Sequence, residues 1–261
     1  LISWNYMTVF QALILGLLQG ITEFLPVSSS GHLVLAQRLM NVNIGGADML
    51  FDLTLHLGTL FAVCVAFRKQ IAALFKRPFK TLLYLIVATI PAALAGLLLG
   101  DLVDEVFFGG AYLALGFALS AALLAAAQIR AKRTEGVPPL KFGCAACMGI
   151  AQAVAIIPGI SRSGATVAAG ILSGGNRQNV ADFSFLLSIP VILGGFAVTL
   201  FKGLHSGELY SAFAAVGEGF GWCVAVSVAA SAAAGHFAIK IMLRCVSEAK
   251  YTPFKVYLCI L

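Results

Sequence analysis

Charged side chains are what this sequence has least of: 17 Lys and Arg with 11 Asp and Glu make up 11% of 261 residues, while 60% are hydrophobic. Soluble domains draw about a quarter of their residues from the charged set, so a water-soluble fold is excluded for want of polar surface. Paired cysteine sets are also missing. Among six cysteines, Cys144 and Cys147 form a CxxC, but no second pair or nearby His completes a zinc set. The cysteines therefore read as small helix-packing residues. Residues 1–25 show no basic start, short apolar stretch and small-residue cleavage site, so a signal peptide is not expected, and Leu1 in place of Met reads as a trimmed start. Nor is there a concentrated basic face. The net charge of +6 comes from Lys and Arg in short loops between apolar runs, which excludes a nucleic-acid surface and matches the membrane-orientation signal.

What the sequence does contain is apolar runs of bilayer length, for which about 20 residues are needed. Spans are predicted at 50–67, 82–100, 111–129, 183–201 and within 214–243, while the final run 254–261 is too short to cross and reads as a clipped helix. Two regions depart from this pattern. Residues 8–25 are apolar, Pro26 to His32 intervene, and a short apolar stretch 33–40 follows; residues 142–157 are apolar, Pro158 to Gly164 intervene, and 165–172 follow. Each reads as a helix, a polar break and a half-helix, which at membrane depth requires cover by protein or water.

The two broken regions repeat one another. Gly16, Gln19, Ser28, Ser30 and Gly31 recur 133 positions later as Gly149, Gln152, Ser161, Ser163 and Gly164, and Asp52-Leu-Thr-Leu-His-Leu is echoed from Asp182. The expected architecture is an all-α polytopic membrane protein with one membrane domain over 1–261. It divides into two repeats, about 8–130 and 142–261, each a re-entrant hairpin plus three transmembrane helices. Arg68, Lys69, Lys76, Arg77 and Lys80 fill a loop 68–81 without an acid; Arg130, Lys132, Arg133 and Lys141 outnumber Glu135 in 130–141; Asp101, Asp104 and Glu105 fill 101–110 without a base. Basic loops stay cytoplasmic, so 101–110 faces outward and the second repeat is inverted relative to the first. Inverted repeats with paired broken helices place a site near the midplane.

The few intramembrane polar residues gather at the breaks. Gln19 and Glu23 lie four apart on one helix face, and a carboxylate in an apolar helix marks function. Ser28, Ser29, Ser30, Gly31 and His32 stand at the start of the first half-helix, where free N–H groups and the dipole favour an anion. Ser161, Arg162, Ser163 and Thr166 repeat the arrangement, and a guanidinium at membrane depth suits phosphate or an ion pair with Glu23. One carboxylate, one His, one Arg and many hydroxyls suit phosphoryl transfer, with Glu23 holding a divalent cation or acting as base. A lipid tail could reach such a site from the bilayer.

Gln19-Gly-Ile-Thr-Glu23-Phe, Pro26-Val-Ser-Ser-Ser-Gly-His32 and Pro158-Gly-Ile-Ser-Arg-Ser-Gly-Ala-Thr166 closely resemble the undecaprenyl-pyrophosphate phosphatase, or bacitracin-resistance, family, and the likeness extends through Ile90-Pro91-Ala92 and Phe183 to Pro190. The resemblance implies a hydrolase that removes phosphate from undecaprenyl pyrophosphate for cell-wall synthesis. It also implies a divalent cation, Mg²⁺ or Ca²⁺, and a bacterial plasma membrane with the site opening to the outer face. By position it marks Glu23, His32, Ser29 and Arg162 as catalytic, and Ser28, Ser30, Ser161, Ser163 and Thr166 as phosphate contacts. Glu23, with Gln19, is marked for the metal. Gln19 stands where Glu is commoner in the motif. The substrate partner is a polyprenyl pyrophosphate among membrane lipids, a homodimer is compatible with the pattern, and nucleic acid is not. A polyprenyl-phosphate flippase is the alternative, since inverted broken helices also build transporters.

Overall fold

The computed structural model describes residues 7–42, 48–107, 112–131, 140–207, 210 and 219–261, and among these the regular elements are helices. In chain order they are α1 (Val9–Phe24), α2 (Ser29–Leu39), α3 (Asp48–Ala66), α4 (Arg68–Leu74), α5 (Lys80–Phe107), α6 (Leu113–Ala131), α7 (Phe142–Val154), α8 (Arg162–Leu172), α9 (Arg177–Ser206), α10 (Phe220–Ser247) and α11 (Thr252–Ile260). Local chemistry accounts for their ends. The Thr8 hydroxyl accepts from the Gln11 backbone N–H while the Gln11 side-chain Oε1 accepts from the Thr8 N–H, a reciprocal cap that starts α1. Pro26 stops it by holding Leu25 extended (ψ 148°). Asn176 accepts from the Gln178 and Asn179 N–H groups to start α9, which ends on Gly207 in the left-handed conformation.

Parts of α5, α6, α9 and α10 are long and apolar enough to cross a bilayer, and α3 with α4, bent by 78° at Phe67, makes a fifth candidate. Each of the five predicted spans is therefore a helix over most of its described residues. Polarity is arranged inside out. Leu83, Ile86, Ile90, Leu94, Leu97 and Leu98 of α5 are exposed, whereas Gln19, Glu23, His32, Gln152, Ser161 and Thr166 are buried. An apolar girdle of this extent requires lipid to cover it. The chain is a multi-pass membrane protein.

The two broken hairpins, α1–α2 and α7–α8, meet in the interior. Their first helices each press a glycine onto a long helix from the other half of the chain. A Cβ on Gly16 would lie 2.4 Å from the Ser227 carbonyl oxygen of α10, and one on Gly149 would lie 2.5 Å from the Ala88 carbonyl oxygen of α5. Only the absence of a side chain allows such crossings, and these two glycines are the repeat mates found in the sequence.

Three expectations need correction. The acidic stretch after Gly100 is not all loop: α5 continues to Phe107, because residues 101–107 contain no helix breaker. The basic stretch 68–81 begins with a helix, α4, before the turn at residues 75–79. Both half-helices also start earlier than hydropathy suggests. α2 begins at Ser29 and α8 at Arg162, so the polar residues form their first turns rather than preceding them. The side chains of Asp101, Asp104 and Glu105, and residues Lys132, Arg133 and Glu135, lie outside the described set.

Candidate functional site

Proline and serine chemistry at the first break presents the site. After Pro26 the chain must reverse direction, and Ser28 takes a left-handed backbone (φ 69°, ψ 97°) that a residue with a Cβ rarely adopts. This turn launches α2 with no side chain capping its N-terminus. The first-turn N–H groups thus lack the side-chain acceptor that a helix start normally recruits, which suits an anion. The second break differs: Ser161 accepts from the Gly164 N–H at 3.1 Å and so caps α8 itself.

Glu23, one turn before Pro26, is the centre of the arrangement and is nearly buried. Its Oε1 receives the Arg162 guanidinium. Its Oε2 accepts from the Ser29 hydroxyl at 2.6 Å and from the Gln19 Nε2 at 3.1 Å. The i to i+4 spacing on α1 brings Gln19 beneath Glu23. A carboxylate and a guanidinium here, each desolvated, hold each other in charged form, and removing either leaves the other uncompensated.

Hydroxyls of the second break lock the two hairpins together. The Gly164 N–H donates to Ser161 Oγ, which lies 3.2 Å from Ser163 Oγ, and Ser163 Oγ donates to the Leu25 carbonyl of the first break at 3.0 Å. Ser120 of α6 braces this loop by accepting from the Ser161 N–H at 2.9 Å. Ser161 and Ser163 thus tie the loop that carries Arg162 to the first break and to α6. Thr166 is turned to α9, its hydroxyl 2.6 Å from Ser184 Oγ. Ser28 and Ser30 hydroxyls lie 3.4 Å apart at the mouth of α2.

His32 is held apart from this centre. Its Nδ1 lies 2.7 Å from the Ser28 carbonyl, its Nε2 lies 2.7 Å from the Tyr257 hydroxyl of α11, and its ring packs on Phe117. Among the described residues no hydrogen bond or ion pair links it to Glu23 or Arg162. The structure thus joins Gln19, Glu23, Ser29 and Arg162 directly and leaves His32 on the next turn of the helix that carries Ser29.

Two neighbours escaped the sequence reading. His56 of α3 points Nε2 at Glu23 Oε2 from 3.7 Å, while its Nδ1–H donates to the Asp52 carbonyl at 2.8 Å. The signal for it was present: an ionisable residue in an apolar span, inside the stretch 52–57 that the repeat comparison picks out. Tyr257 carried no such signal, being one aromatic in a short terminal run.

A metal has partial provision here. Gln19 Oε1 is buried without a hydrogen-bond partner beside Glu23, and an orphaned acceptor oxygen is what a hard cation takes. Among the described residues no cluster of three or more His, Cys, Asp or Glu side chains could hold a metal alone. The donor set fits a cation that takes its remaining ligands from substrate phosphate oxygens and water, as Mg²⁺ commonly does.

Comparison with known proteins identifies the family. Residues 12–261 match the family model described as bacitracin resistance protein BacA. The chain is 39% identical to an undecaprenyl-diphosphatase of Carboxydothermus hydrogenoformans, over 98% of this chain and 95% of that protein. It is 35% identical to one of Desulforapulum autotrophicum, over 96% and 95%, and 36% identical to one of Methanobrevibacter smithii, over 96% and 94%.

Proposed function

The chain belongs to the bacitracin resistance protein family, and from that membership and the geometry above we propose that the Glu23–Ser29–Arg162 centre removes the terminal phosphate of undecaprenyl diphosphate. The observation that carries this reading is the Ser29 hydroxyl, which donates to Glu23 Oε2 at 2.6 Å with the Arg162 guanidinium on the same carboxylate. A hydroxyl bonded to a base, beside a forked cation and an uncapped helix N-terminus, has the parts of a phosphoryl-transfer site.

In this reading the diphosphate enters over α2, and Arg162 turns its fork from Glu23 to the terminal phosphoryl group. Ser29 Oγ gives its proton to Glu23 and bonds to the terminal phosphorus. The bond from that phosphorus to the bridging oxygen breaks, and undecaprenyl phosphate leaves with the electron pair. Water then attacks the phosphoserine, yielding orthophosphate and restoring the serine hydroxyl. His32, three residues on and on the same face of α2, takes the proton of that water through Nε2. Glu23 and the Gln19 carbonyl would hold a divalent cation, which when bound offsets the charge of the diphosphate.

The basic composition of 68–81 and the acidic composition of 101–110 support placing the former inside the cell and the latter outside. The first break then opens outward in a bacterial plasma membrane, with the second repeat inverted. The equivalent glycine crossings at Gly16 and Gly149 support the duplication.

The test is orthophosphate release from undecaprenyl diphosphate by purified protein in detergent. A phosphatase needs no second compartment, whereas a lipid flippase would release nothing. Acid-quenched turnover of substrate labelled in the terminal phosphate should leave label on Ser29. Full activity in Ser29→Ala would remove that residue from the chemistry.

A further inference from the structure

The two nitrogens of His32 carry different information. The Ser28 carbonyl, 2.7 Å from Nδ1, can only accept, so Nδ1 bears the proton. In the neutral ring Nε2 then has a bare lone pair, and the group facing it at 2.7 Å is the Tyr257 hydroxyl, which donates. Tyr257 also lies nearly parallel to the imidazole, with planes 15° apart and centroids 5.6 Å apart, while Phe117 of α6 closes another side at 5.6 Å. The ring is thus gripped at both nitrogens and packed against two aromatic rings.

The grip spans the whole chain. Ser28 owes its carbonyl direction to the left-handed turn at the first break, and Tyr257 comes from α11, 225 residues after His32. α11 in turn packs along α6, the helix that supplies Phe117 and braces the second break through Ser120.

We propose that Tyr257 is a positioning residue for the reaction: its hydroxyl holds His32 as the Nδ1–H tautomer, with Nε2 kept as the acceptor and aimed by α11. With Nδ1 committed to Ser28, Nε2 is the sole atom through which His32 can exchange a proton, so its direction decides whether the imidazole serves the site. Tyr257 bonds the imidazole and not the diphosphate, so it acts on the reaction through the ring. This inference rests on the reading that His32 works at the diphosphate site.

Tyr257→Phe removes the hydroxyl and keeps the ring, so packing of α11 on α6 is retained. In detergent-solubilised protein acting on undecaprenyl diphosphate, kcat should fall about tenfold, the scale of one lost orienting hydrogen bond, with KM within about twofold. In a His32→Asn background the same substitution should cost nothing further. A kcat unchanged in Tyr257→Phe, a loss confined to KM, or an undiminished second loss in the His32→Asn background overturns the proposal. A second readout does not depend on turnover: ¹⁵N imidazole shifts, with the His32→Asn spectrum identifying the signal, should report an Nδ1–H, Nε2-acceptor ring in the wild-type protein. An Nε2–H ring overturns the assignment even if catalysis suffers. Failure of the underlying reading looks different, as a wild-type protein that releases no phosphate while the tautomer signal is still as described.

Discussion

Replacing Arg162 by Lys separates the two things this residue does. The Arg162 and Glu23 side chains are 15% and 6% exposed, so the pair sits largely out of water. Deleting one charge from such a pair typically costs about 3–5 kcal/mol of stability, because the other is left buried and unpaired. Lysine keeps the positive charge opposite Glu23 and avoids that loss; the Arg162→Lys protein should unfold within a few degrees of the wild type in detergent, an interval worth roughly 1 kcal/mol. What lysine lacks is the planar fork that grips two phosphate oxygens at once. Loss of a preorganised donor of this kind costs about 10²-fold or more in kcat, which is roughly 2.7 kcal/mol of transition-state stabilisation. Arg162→Met should show the opposite balance, losing the full 3–5 kcal/mol as well as activity. The assay is orthophosphate release alongside a thermal unfolding scan of the same detergent preparation. Turnover of Arg162→Lys within about threefold of wild type would refute the bidentate role and make the residue a structural counter-ion.

Three further outcomes are expected. Glu23→Gln should abolish metal-dependent phosphate release, whereas Gln19→Ala should cost less and Gln19→Glu should be tolerated with tighter apparent Mg²⁺ or Ca²⁺ affinity; equal losses with unchanged metal titrations would show that Glu23 is not the ligand. His56→Gln should retain more activity than His56→Ala, since an amide keeps a polar group facing Glu23 Oε2, and phosphate release by the two variants is the comparison; equal rates would mean that no polar neighbour is needed there. In a cysteine-free background, single cysteines within 101–110 should react with an impermeant reagent from outside and those within 68–81 should not, and uniform labelling of both would sink the inverted topology.

The membrane class, the five spans and the two breaks were legible in the sequence, because bilayer insertion depends on the summed apolarity of about 20 neighbouring residues and on which few positions interrupt it. The same scarcity exposed Glu23 and Arg162: a charge in an apolar run is costly enough to announce itself. Gln19 and Glu23 on one face followed from helical periodicity alone. Start points were less legible. α9 begins at Arg177, six residues before the predicted 183, because its first turns are polar and are set by Asn176 capping, which a hydropathy window does not register. α2 and α8 likewise begin at Ser29 and Arg162, since a polar first turn still satisfies its backbone as helix. Pairing across the chain was decided by tertiary structure. That Arg162 meets Glu23 across 139 positions, that Ser163 binds the Leu25 carbonyl, that Thr166 meets Ser184, and that His32 is held by Tyr257 all depend on how helices cross. Such contacts arise where rigid helices pack side chain against side chain, and periodicity within one helix carries no information about which face of another it will meet.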